Sequence, residues 1–461
     1  MENKRSIHGG EISNNKPRFL FLALTLLLLV FYSSILFGAT IYIDPTNTSS
    51  GQNGSITSPY SSWTRFSLVS GNTYLQKRGT TYTSSTQIFI SAKNNITIGA
   101  YGTGSKPVFS YTGSGYAFRI EGSSNCTVQD FEVNGNGNAH SLIGVSGSSS
   151  NYTSEITINN CVLHNAHNTN NAGFGIYGVY NNNLSILNTT IHNVAIDGIY
   201  LANIPGIEIG YSHIYNINRR FFVNPNQTYS SGDGIQLDGN YNGFHIHHTI
   251  IDRTNGAGNK FNLILNSAPG TSDNATGIIE YCTFINGSNV AAAVHIERGN
   301  GIITRYNTFQ GNTLGLRIAG AYTSNNLIHN NIFYNCSSGI GIGYTYPSAG
   351  PATNTKVYNN VFYRVSNYHI WVDKTNVDSR NNIHLRGTDN GVAIYNYGGG
   401  SWTIRNNCYG TSATAGSPGT GSSPVIGNPQ FVNPANYDFH LQSGSPCINK
   451  GMNVEIGRAH V

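Results

Sequence analysis

The chain contains a short segment that recurs with a fixed internal order of apolar and polar residues. Examples are ITINNCVLHN, LSILNTTIHN, LIHNNIFYN and KVYNNVFYR, and successive copies are separated by 22 to 37 residues. Repeats of this length with strand-like alternation are typical of a solenoid, in which each repeat forms one coil and packs on its neighbours. Alignment places one residue of each repeat in a single anchor column: Ile158, Ile186, Ile209, Ile246, Ile279, Thr304, Ile328, Val357 and Ile404, with a further weaker repeat near Asn382.

Two more columns follow from the same alignment. The position five residues beyond the anchor is apolar, which predicts a continuous stack of side chains inside the coil. The position three residues beyond the anchor is asparagine in the later repeats, and stacked asparagines at a turn can hydrogen-bond from one coil to the next. The apolar column contains Leu163, Ile191, Ile214, Ile251, Phe284, Phe309, Phe333 and Phe362, and the asparagine column contains Asn307, Asn331, Asn360 and Asn407.

Each repeat continues into a second apolar strand, such as DGIYL, DGIQL, GLRIA or GIGIG. Three short strands per repeat, tight asparagine turns and a scarcity of helix-forming residues predict an all-β fold, a right-handed parallel β-helix with three sheets. We expect about twelve rungs between residues 94 and 416, which at about 4.8 Å per rung form a rod of roughly 55 Å.

The segments on either side of the repeats carry a family resemblance. IYIDPTNTSSGQNGS, GNTYLQKRGTTY and ITIGAYGTGSKPV at the start, and GNPQFVNPANYDFHLQSGSPCINKG at the end, resemble the flanking segments of secreted bacterial β-helix proteins of the pectate-lyase superfamily. The resemblance implies an N-terminal capping segment over residues 40–93 and a closing segment over residues 417–455. It leaves the activity open, because that superfamily includes polysaccharide lyases, glycoside hydrolases, epimerases and non-catalytic surface proteins.

The two ends of the chain differ from the repeats. Lys4, Arg5, Lys16 and Arg18 precede the apolar run FLFLALTLLLLVFYSSILFGA, so residues 1–39 are predicted to be an export signal or a retained membrane anchor. We therefore expect a secreted, periplasmic or cell-surface protein. Residues 456–461, IGRAHV, are interpreted as translated sequencing adapter, which predicts a truncated gene.

Charge and cysteine content limit the partners and the covalent structure. The formal net charge of +5 is too small to indicate a nucleic-acid-binding surface. We expect a monomer that binds a polysaccharide and no nucleic acid, and that contacts a membrane only through an uncleaved N-terminal segment. Cys161 and Cys282 share a turn column but lie four rungs apart, about 19 Å, which is too far for a disulfide. Most of the 6 cysteines are therefore expected to be buried free thiols.

The DGI strands allow one outer face of the coil to be inferred. Alternate residues of a strand point to opposite sides, so Gln236 and Asp238 face solvent if Ile235 and Leu237 face the interior. Asp197 and Asp233 occupy equivalent positions in consecutive rungs, which places them about 5 Å apart. The same alternation predicts further exposed side chains on neighbouring rungs: Tyr200, Lys260, Asn262, His295, Glu297 and Arg317.

Two interpretations of the stacked aspartates are open. Asp-Gly is a frequent turn pair, and aspartates at the start of a strand often accept hydrogen bonds from backbone amides. Two carboxylates this close also repel each other unless they share a proton or a cation. Asp197, Asp233 and Asp238 are therefore predicted ligands of Ca²⁺, which prefers carboxylate oxygens on a semi-rigid frame.

The segment GDGIQLD followed by GNKF is similar to a pattern in family-nine pectate lyases, where a DDG strand precedes a GNGFK segment. The resemblance implies that Lys260 is the base in a calcium-assisted β-elimination that cleaves a uronate polymer. This chain has Gly232 in place of one aspartate, and Lys260 precedes Phe261 instead of following it, which reverses the side of the strand that the lysine faces. A solvated surface lysine without a catalytic role is the alternative.

The remaining polar and aromatic residues of this face are predicted to contact the substrate. Arg317 is assigned to the catalytic group with Lys260, because an arginine can bind a uronate carboxylate through two parallel hydrogen bonds. Aromatic side chains could stack on sugar rings or assist proton transfer. The predicted substrate-binding residues are Gln236, Asn262, His295, Glu297, Arg298, Tyr200 and Trp371.

The HIHH segment, residues 245–248, has the composition of a zinc motif. The repeat register predicts that His247 and His248 lie at a turn and that His245 lies on a different sheet from the acidic strand. We therefore expect no metal at this segment.

Three functions remain possible at this stage. The first is a polysaccharide lyase acting on an acidic glycan such as pectate or alginate. The second is a glycoside hydrolase that uses Asp197, Asp233, Asp238 or Glu297 as its carboxylates, although the GHG and RIK motifs of polygalacturonases are missing. The third is a non-catalytic carbohydrate-binding or surface β-helix. Unsaturated products would indicate a lyase, saturated products a hydrolase, and no products a non-catalytic protein.

Overall fold

The anchor residues of successive repeats lie beside one another in a parallel sheet. Ile158 pairs with Ile186, Ile186 with Ile209, and Ile209 with Ile246. The column continues to Ile404, and the weaker repeat contributes Ser379. Each strand therefore pairs with its equivalent one coil later, and the chain forms the predicted right-handed parallel β-helix.

The computed structural model describes residues 38–167, 173–217, 232–254, 260–266, 275–287, 292–319, 323–344, 352–385, 391–410, 419–454 and 456. Nearly all of the predicted export signal or anchor, residues 1–39, lies outside this range, as do residues 457–461 of the predicted adapter segment. Within the described residues no helix is long and apolar enough to cross a bilayer.

Three long parallel sheets contain nearly all the described strands. The first sheet consists of Thr40–Ile43, Thr73–Lys77, Asn94–Tyr101, Ser124–Gln129, Thr153–Asn159, Asn181–Leu187, Ile207–Gly210, Phe244–His247, Gly277–Glu280, Ile303–Arg305, Leu327–His329, Thr355–Tyr358, Val377–Arg380 and Trp402–Arg405. The second sheet consists of Ile88–Ser91, Tyr116–Glu121, Ser141–Ser146, Phe174–Val179, Ile199–Ala202, Ile235–Asp238, Leu263–Leu265, Ala292–Ile296, Leu314–Ala319, Ser338–Tyr344, Tyr368–Val372 and Val392–Asn396. The third sheet consists of Thr81–Ser84, Val108–Tyr111, Glu132–Asn134, Val162–Ala166, Thr190–Val194, His213–Ile217, Ile250–Asp252, Thr283–Ile285, Thr308–Gln310, Ile332–Tyr334, Val361–Tyr363, Ile383–Leu385, Cys408–Tyr409 and Val425–Ile426.

The predicted apolar column forms the interior of the coil. Phe309 and Phe333 are fully buried, and their rings stack with centroids 4.6 Å apart. The same stack extends to Phe284 on one side and Phe362 on the other, at 5.1 and 4.9 Å. His384 continues the column beyond Phe362 at 5.0 Å. Parallel in-register pairing thus places identical side chains at stacking distance.

The predicted asparagine column forms a continuous hydrogen-bonded ladder. The side-chain oxygen of Asn331 accepts bonds from the backbone and side-chain amides of Asn307, both at 3.0 Å. Asn360 accepts from Asn331 in the same way, and Asn382 accepts from Asn360. The ladder ends at Asn407, and all its members are buried. Stacked amides therefore satisfy buried backbone donors at this turn.

Glycines directly before the apolar strand residues of the second sheet lie close to the interior stack. A Cβ atom added at Gly234 would lie 2.5 Å from the Ile251 side chain of the third sheet, and one added at Gly315 would lie 2.6 Å from the Phe333 ring. Both positions face the interior directly before the apolar residues of the strand. A side chain added at either of these two glycines would crowd the apolar column, whereas the rung after Gly234 holds Asn262 at the equivalent position.

The sheets extend beyond the predicted repeats at both ends. Residues 40–93, assigned from the sequence to a capping segment, contribute strands to all three sheets and the 3₁₀ turn Trp63–Arg65. After Val425–Ile426, the chain forms an antiparallel hairpin of Phe431–Asn433 and Asp438–Leu441 around the 3₁₀ turn Pro434–Asn436. A further short ladder joins Gly299–Asn300 to Thr323–Ser324.

The cysteines follow the expectation from the repeat register with one addition. Cys126, Cys161, Cys282 and Cys336 are free and buried. Cys408 forms a disulfide with Cys447, which attaches the closing segment to the last described coil. The repeat alignment could not indicate this bond because Cys447 lies outside the repeats.

Candidate functional site

The outer face of the second sheet carries the residues on which the functional predictions rest. Strand register places Tyr200 beside Gln236, Gln236 beside Ile264, and Ile264 beside His295. The same outward column continues through Arg317 and Gly341 to Trp371. The predicted alternation is therefore correct for this column, except that Ile264 takes the place expected for Lys260 or Asn262.

The stacked aspartates open two of these rungs and are buried. Asp197 is 3% exposed and Asp233 is 2% exposed. The Asp197 carboxylate accepts a 2.7 Å bond from the backbone amide of Asp233, and the Asp233 carboxylate accepts a 2.7 Å bond from the amide of Phe261. Each carboxylate thus connects its rung to the next, which is the hydrogen-bonding role that Asp-Gly turns suggest.

Burial and mutual repulsion disfavour the charged forms of these two carboxyls. Burial, together with the neighbouring Asp233, raises the pKa of Asp197 well above its ordinary value. Burial raises the pKa of Asp233 to about 6, against the opposing effects of the Phe261 amide and of Lys260 and Arg253. A shared proton or a nearby cation would relieve the repulsion between the two carboxyls, and the charge of Lys260 acts on both of them.

Arg253 is a further charged residue near these carboxyls that the sequence analysis did not identify. It is buried, and its Nη1 atom donates a 3.1 Å bond to the carbonyl of Phe261 and another bond to the carbonyl of Gly232. The negative charges of Asp233 and Asp197 stabilise the charged form of its guanidinium. Arg253 follows a strand of the third sheet, so its position in the sequence gave no sign that it reaches the DGI face.

The three predicted calcium ligands do not converge on one point. Among the described residues, the one group whose possible metal-binding atoms all lie within 4.8 Å of one another is Glu208, His245 and His247. Asp197, Asp233 and Asp238 do not form such a group. Asp197 and Asp233 also use carboxylate oxygens to bind backbone amides. The site as predicted, with all three aspartates binding one ion, therefore does not fit this arrangement.

Asp238 belongs instead to a cluster at the surface. Its Oδ2 atom accepts a 3.0 Å bond from Gln236 Nε2, and its carboxylate also bonds to the Tyr200 hydroxyl. Burial and the adjacent carboxylate raise the pKa of Tyr200, so its hydroxyl stays protonated and can donate a proton or a hydrogen bond. All three side chains are partly accessible to solvent.

A second polar group lies farther along the same face. His295 Nε2 bonds to Glu297 Oε1 at 3.0 Å, and Arg317 lies beside His295 in the sheet register. His295 is only 1% exposed because the Phe261 ring lies over it, with centroids 4.6 Å apart. Burial lowers the pKa of His295, so the imidazole is neutral near pH 7 and orients Glu297. Its predicted direct contact with substrate is not supported by this burial.

Two further predicted substrate contacts require correction. Asn262 is fully buried, and its Nδ2 atom donates to the carbonyls of Ile251 and Ile285 in the third sheet, so it faces the interior. It occupies the position held by the interior glycine in the DGI strands, which is why simple alternation failed there. Arg298 is 2% exposed and therefore lies beneath the surface. Lys260, Arg317, Glu297 and Trp371 remain partly accessible, with Trp371 packed over Gly341.

An aromatic patch adjoins this site on the preceding rungs. Tyr177 and Tyr200 stack with centroids 5.3 Å apart, and Phe174 contacts Tyr177 at 5.2 Å. Tyr116 and His140 extend the patch, with centroids 5.1 Å apart. All five side chains are partly exposed. Partly exposed rings of this kind provide flat apolar surface with polar edges, which suits a sugar polymer.

Comparison with known proteins agrees with the architecture. Residues 259–409 match the family model described as right handed beta helix region. The fold is that of the right-handed β-helix proteins. No curated protein shows significant sequence similarity to the chain.

Several solved β-helix structures are similar to the chain in fold. The alginate lyase AlyF-OU02, determined as a complex with G6, is 14% identical with a TM-score of 0.54, over 83% of this chain and 88% of that one. A mannuronic acid specific polysaccharide family 6 lyase from human gut microbiota is 16% identical with a TM-score of 0.48, over 84% and 82%. The catalytic unit of the GH87 alpha-1,3-glucanase from Streptomyces thermodiastaticus strain HF3-3 is 12% identical with a TM-score of 0.48, over 76% and 63%. Identities this low show the fold alone.

Proposed function

We propose that this β-helix is a polysaccharide lyase that cleaves a uronate-containing glycan on the outer face of its second sheet. The observation that carries the proposal is the combination of two accessible cationic side chains two rungs apart: Lys260, just before the strand Leu263–Leu265, and Arg317, on the outer face of the second sheet. The buried Asp197 and Asp233 lie close enough to Lys260 for its charge to affect both carboxyls. The fold shared with an alginate lyase at a TM-score of 0.54 is compatible with this assignment.

The substrate would extend along the axis of the coil. The aromatic patch of Tyr116, His140, Phe174, Tyr177 and Tyr200 would hold sugar rings on one side of the cleavage point. Arg317 would hold a carboxylate on the other side through paired hydrogen bonds, which a lysine cannot form. The rungs between Tyr200 and Arg317 carry Gln236 and Glu297, and a rung beyond Arg317 carries Trp371. These side chains would contact sugar hydroxyls and rings.

The proposed reaction is proton removal followed by loss of the glycosidic oxygen. Lys260 removes the proton on the carbon next to the uronate carboxylate, a double bond forms towards the neighbouring carbon, and the bond from that carbon to the leaving oxygen breaks. The charge that develops on the carboxylate is stabilised by the guanidinium of Arg317. The protonated hydroxyl of Tyr200, bonded to Asp238, would donate the proton that the leaving glycosidic oxygen takes up.

Calcium remains a proposal in a modified form. The trio of aspartates predicted from the sequence does not converge, but the repulsion within the Asp197 and Asp233 pair still favours a nearby cation. Protein carboxylates and the substrate carboxylate together could provide the oxygen ligands that Ca²⁺ requires. A bound calcium ion would offset the charge of the substrate carboxylate.

Product analysis tests the proposal most broadly. The purified protein is incubated with polygalacturonate, alginate and neutral β- and α-glucans, with and without added Ca²⁺, and products are examined by ultraviolet absorbance and mass spectrometry. Unsaturated uronate ends from an acidic glycan support the lyase. Saturated ends, or binding to every glycan without products, contradict it.

A second candidate function rests on two carboxylates of the same face. Leu237, Leu265 and Ile296 pair in register, so Asp238 and Glu297, each one residue farther on, lie in one column two rungs apart. Two rungs correspond to about 10 Å, near the separation of about 6.5–9.5 Å between the carboxyl groups of inverting glycosidases. An inverting hydrolase is thus the alternative, and in that case Asp238→Asn and Glu297→Gln each abolish formation of saturated products.

A further inference from the structure

The outer face of the first sheet carries a cluster of imidazoles and carboxylates that is separate from the proposed lyase site. His245 and His247 alternate with the buried Ile246 in the strand Phe244–His247, so both imidazoles lie on the outer face. His247 is the last residue of this strand, not a turn residue as predicted from the repeat register. Glu208 lies directly beside His245 on the preceding rung.

The absence of a side chain at Gly210 brings the cluster together. Gly210 pairs with His247, and a Cβ atom added there would lie 2.3 Å from the imidazole Cε1 and 2.5 Å from Nε2. The His247 ring therefore lies over the preceding rung, where its Nε2 is 3.5 Å from Glu208 Oε1. The His245 and His247 rings are also close, with centroids 4.4 Å apart.

The donor atoms of the three residues converge. One nitrogen of each histidine and one carboxylate oxygen of Glu208 all lie within 4.8 Å of one another. A zinc ion with bonds of about 2.0–2.2 Å holds its ligands about 3.3 Å apart, so small side-chain rotations complete the contact. Two imidazoles and one carboxylate form a donor set that suits Zn²⁺ and related transition metals better than Ca²⁺ or Mg²⁺, which prefer oxygen alone.

Neighbouring groups hold the ligands in place. Glu280, on the following rung, accepts a 2.9 Å bond from His245 and a 2.6 Å bond from Arg305. The Ser185 hydroxyl donates to Glu208 at 3.1 Å. A carboxylate bonded to a metal-binding histidine fixes the orientation of the ring and increases its basicity, and such partners strengthen metal binding. Glu280 and Ser185 match this supporting role.

We propose that Glu208, His245 and His247 form a binding site for a divalent transition metal ion of the zinc class. The site connects two consecutive rungs of the first sheet and leaves at least one coordination position to water or another ligand. It lies on a different sheet from Lys260 and Arg317, and it does not depend on the proposed lyase activity. Metal binding is expected to stabilise the folded coil, because the three donors are brought together only when the rungs are paired.

The experiment uses the protein without an affinity tag, stripped of metal, and titrated with Zn²⁺ by calorimetry and with Co²⁺ by visible absorption. We expect one equivalent of bound metal, an absorption band of four- or five-coordinate Co²⁺, and a rise in the melting temperature with Zn²⁺ but not with Mg²⁺. His247→Gln and His245→Gln should each weaken binding by about 100-fold or more and remove the thermal shift.

His440→Gln provides the matched control. His440 also pairs with a carboxylate, Asp438 at 2.6 Å, but it lies in the exposed closing hairpin outside the cluster. This variant should bind zinc as the parent does, and circular dichroism of the metal-free variants checks that all of them are folded. No zinc binding by the folded parent, or equal binding by the parent, His247→Gln and His245→Gln, would overturn the proposal.

Discussion

Replacing Phe333 with alanine tests the interior register of the coil. Phe333 is fully buried, and its ring stacks on Phe309 at 4.6 Å and on Phe362 at 4.9 Å. Removing a buried phenylalanine side chain costs about 3–5 kcal/mol, because apolar surface is lost and a cavity remains. Each stacked pair adds about 0.5–1.5 kcal/mol, so we expect a loss of stability in the upper part of that range.

Urea unfolding followed by circular dichroism measures the change against two comparison variants. Phe333→Leu should lose less than about 1.5 kcal/mol, since aliphatic residues occupy this column at Leu163 and Ile251. Tyr397→Ala should change stability by no more than about 0.5 kcal/mol, because Tyr397 is 73% exposed. Similar small losses for Phe333→Ala and Tyr397→Ala would refute the assignment of Phe333 to the interior stack.

Three further predictions concern other parts of the coil. Asn331→Ala should cost about 2–6 kcal/mol in urea unfolding, since two hydrogen bonds from the buried Asn307 amides lose their acceptor, at about 1–3 kcal/mol each, although the Asn307 side chain keeps its bond to the Ile279 carbonyl. Burial raises the pKa of Asp233 to about 6, above the value of about 4 in unfolded chains, so the folded state holds the proton more tightly. The melting temperature should therefore fall as pH rises from about 4 to about 6, and Asp233→Asn should flatten this dependence; an unchanged slope would exclude Asp233 as its source. If calcium binds beside the aspartate pair, EGTA should lower the melting temperature of the parent but not of Asp233→Ala, and a parent insensitive to EGTA would leave these carboxyls with a structural role alone.

The repeat alignment was sufficient to predict the fold because each column has one physical role. Phe309 and Phe333 stack, and Asn307, Asn331 and Asn360 form a ladder, because parallel pairing in register places like residues beside each other. The Cys408–Cys447 disulfide depends on how the closing segment folds back, which no repeat specifies.

The candidate site could be predicted only where strict alternation applies. Tyr200, Gln236 and Asp238 lie on the outer face as expected. Asn262 directly precedes the strand Leu263–Leu265 and, like Leu263, is buried, with its side chain bonded to the Ile251 carbonyl of the third sheet, so strict alternation does not extend to it. The contact of Arg253 with the Phe261 carbonyl, near Asp233, depends on three-dimensional packing and leaves no periodic signal in the sequence.

The central claim is that Lys260 removes a proton from a uronate bound on the second sheet. The direct measurement is the initial rate of unsaturated uronate formation, followed by ultraviolet absorbance on the acidic glycan that the parent cleaves, for Lys260→Ala, Lys260→Arg and Lys356→Ala. Lys356 is a partly accessible lysine on the first sheet and serves as the matched control. We predict that both Lys260 variants lose nearly all activity with an unchanged melting temperature, the arginine variant because a guanidinium retains its proton, while Lys356→Ala keeps the parental rate. A parental rate in Lys260→Ala would contradict the account.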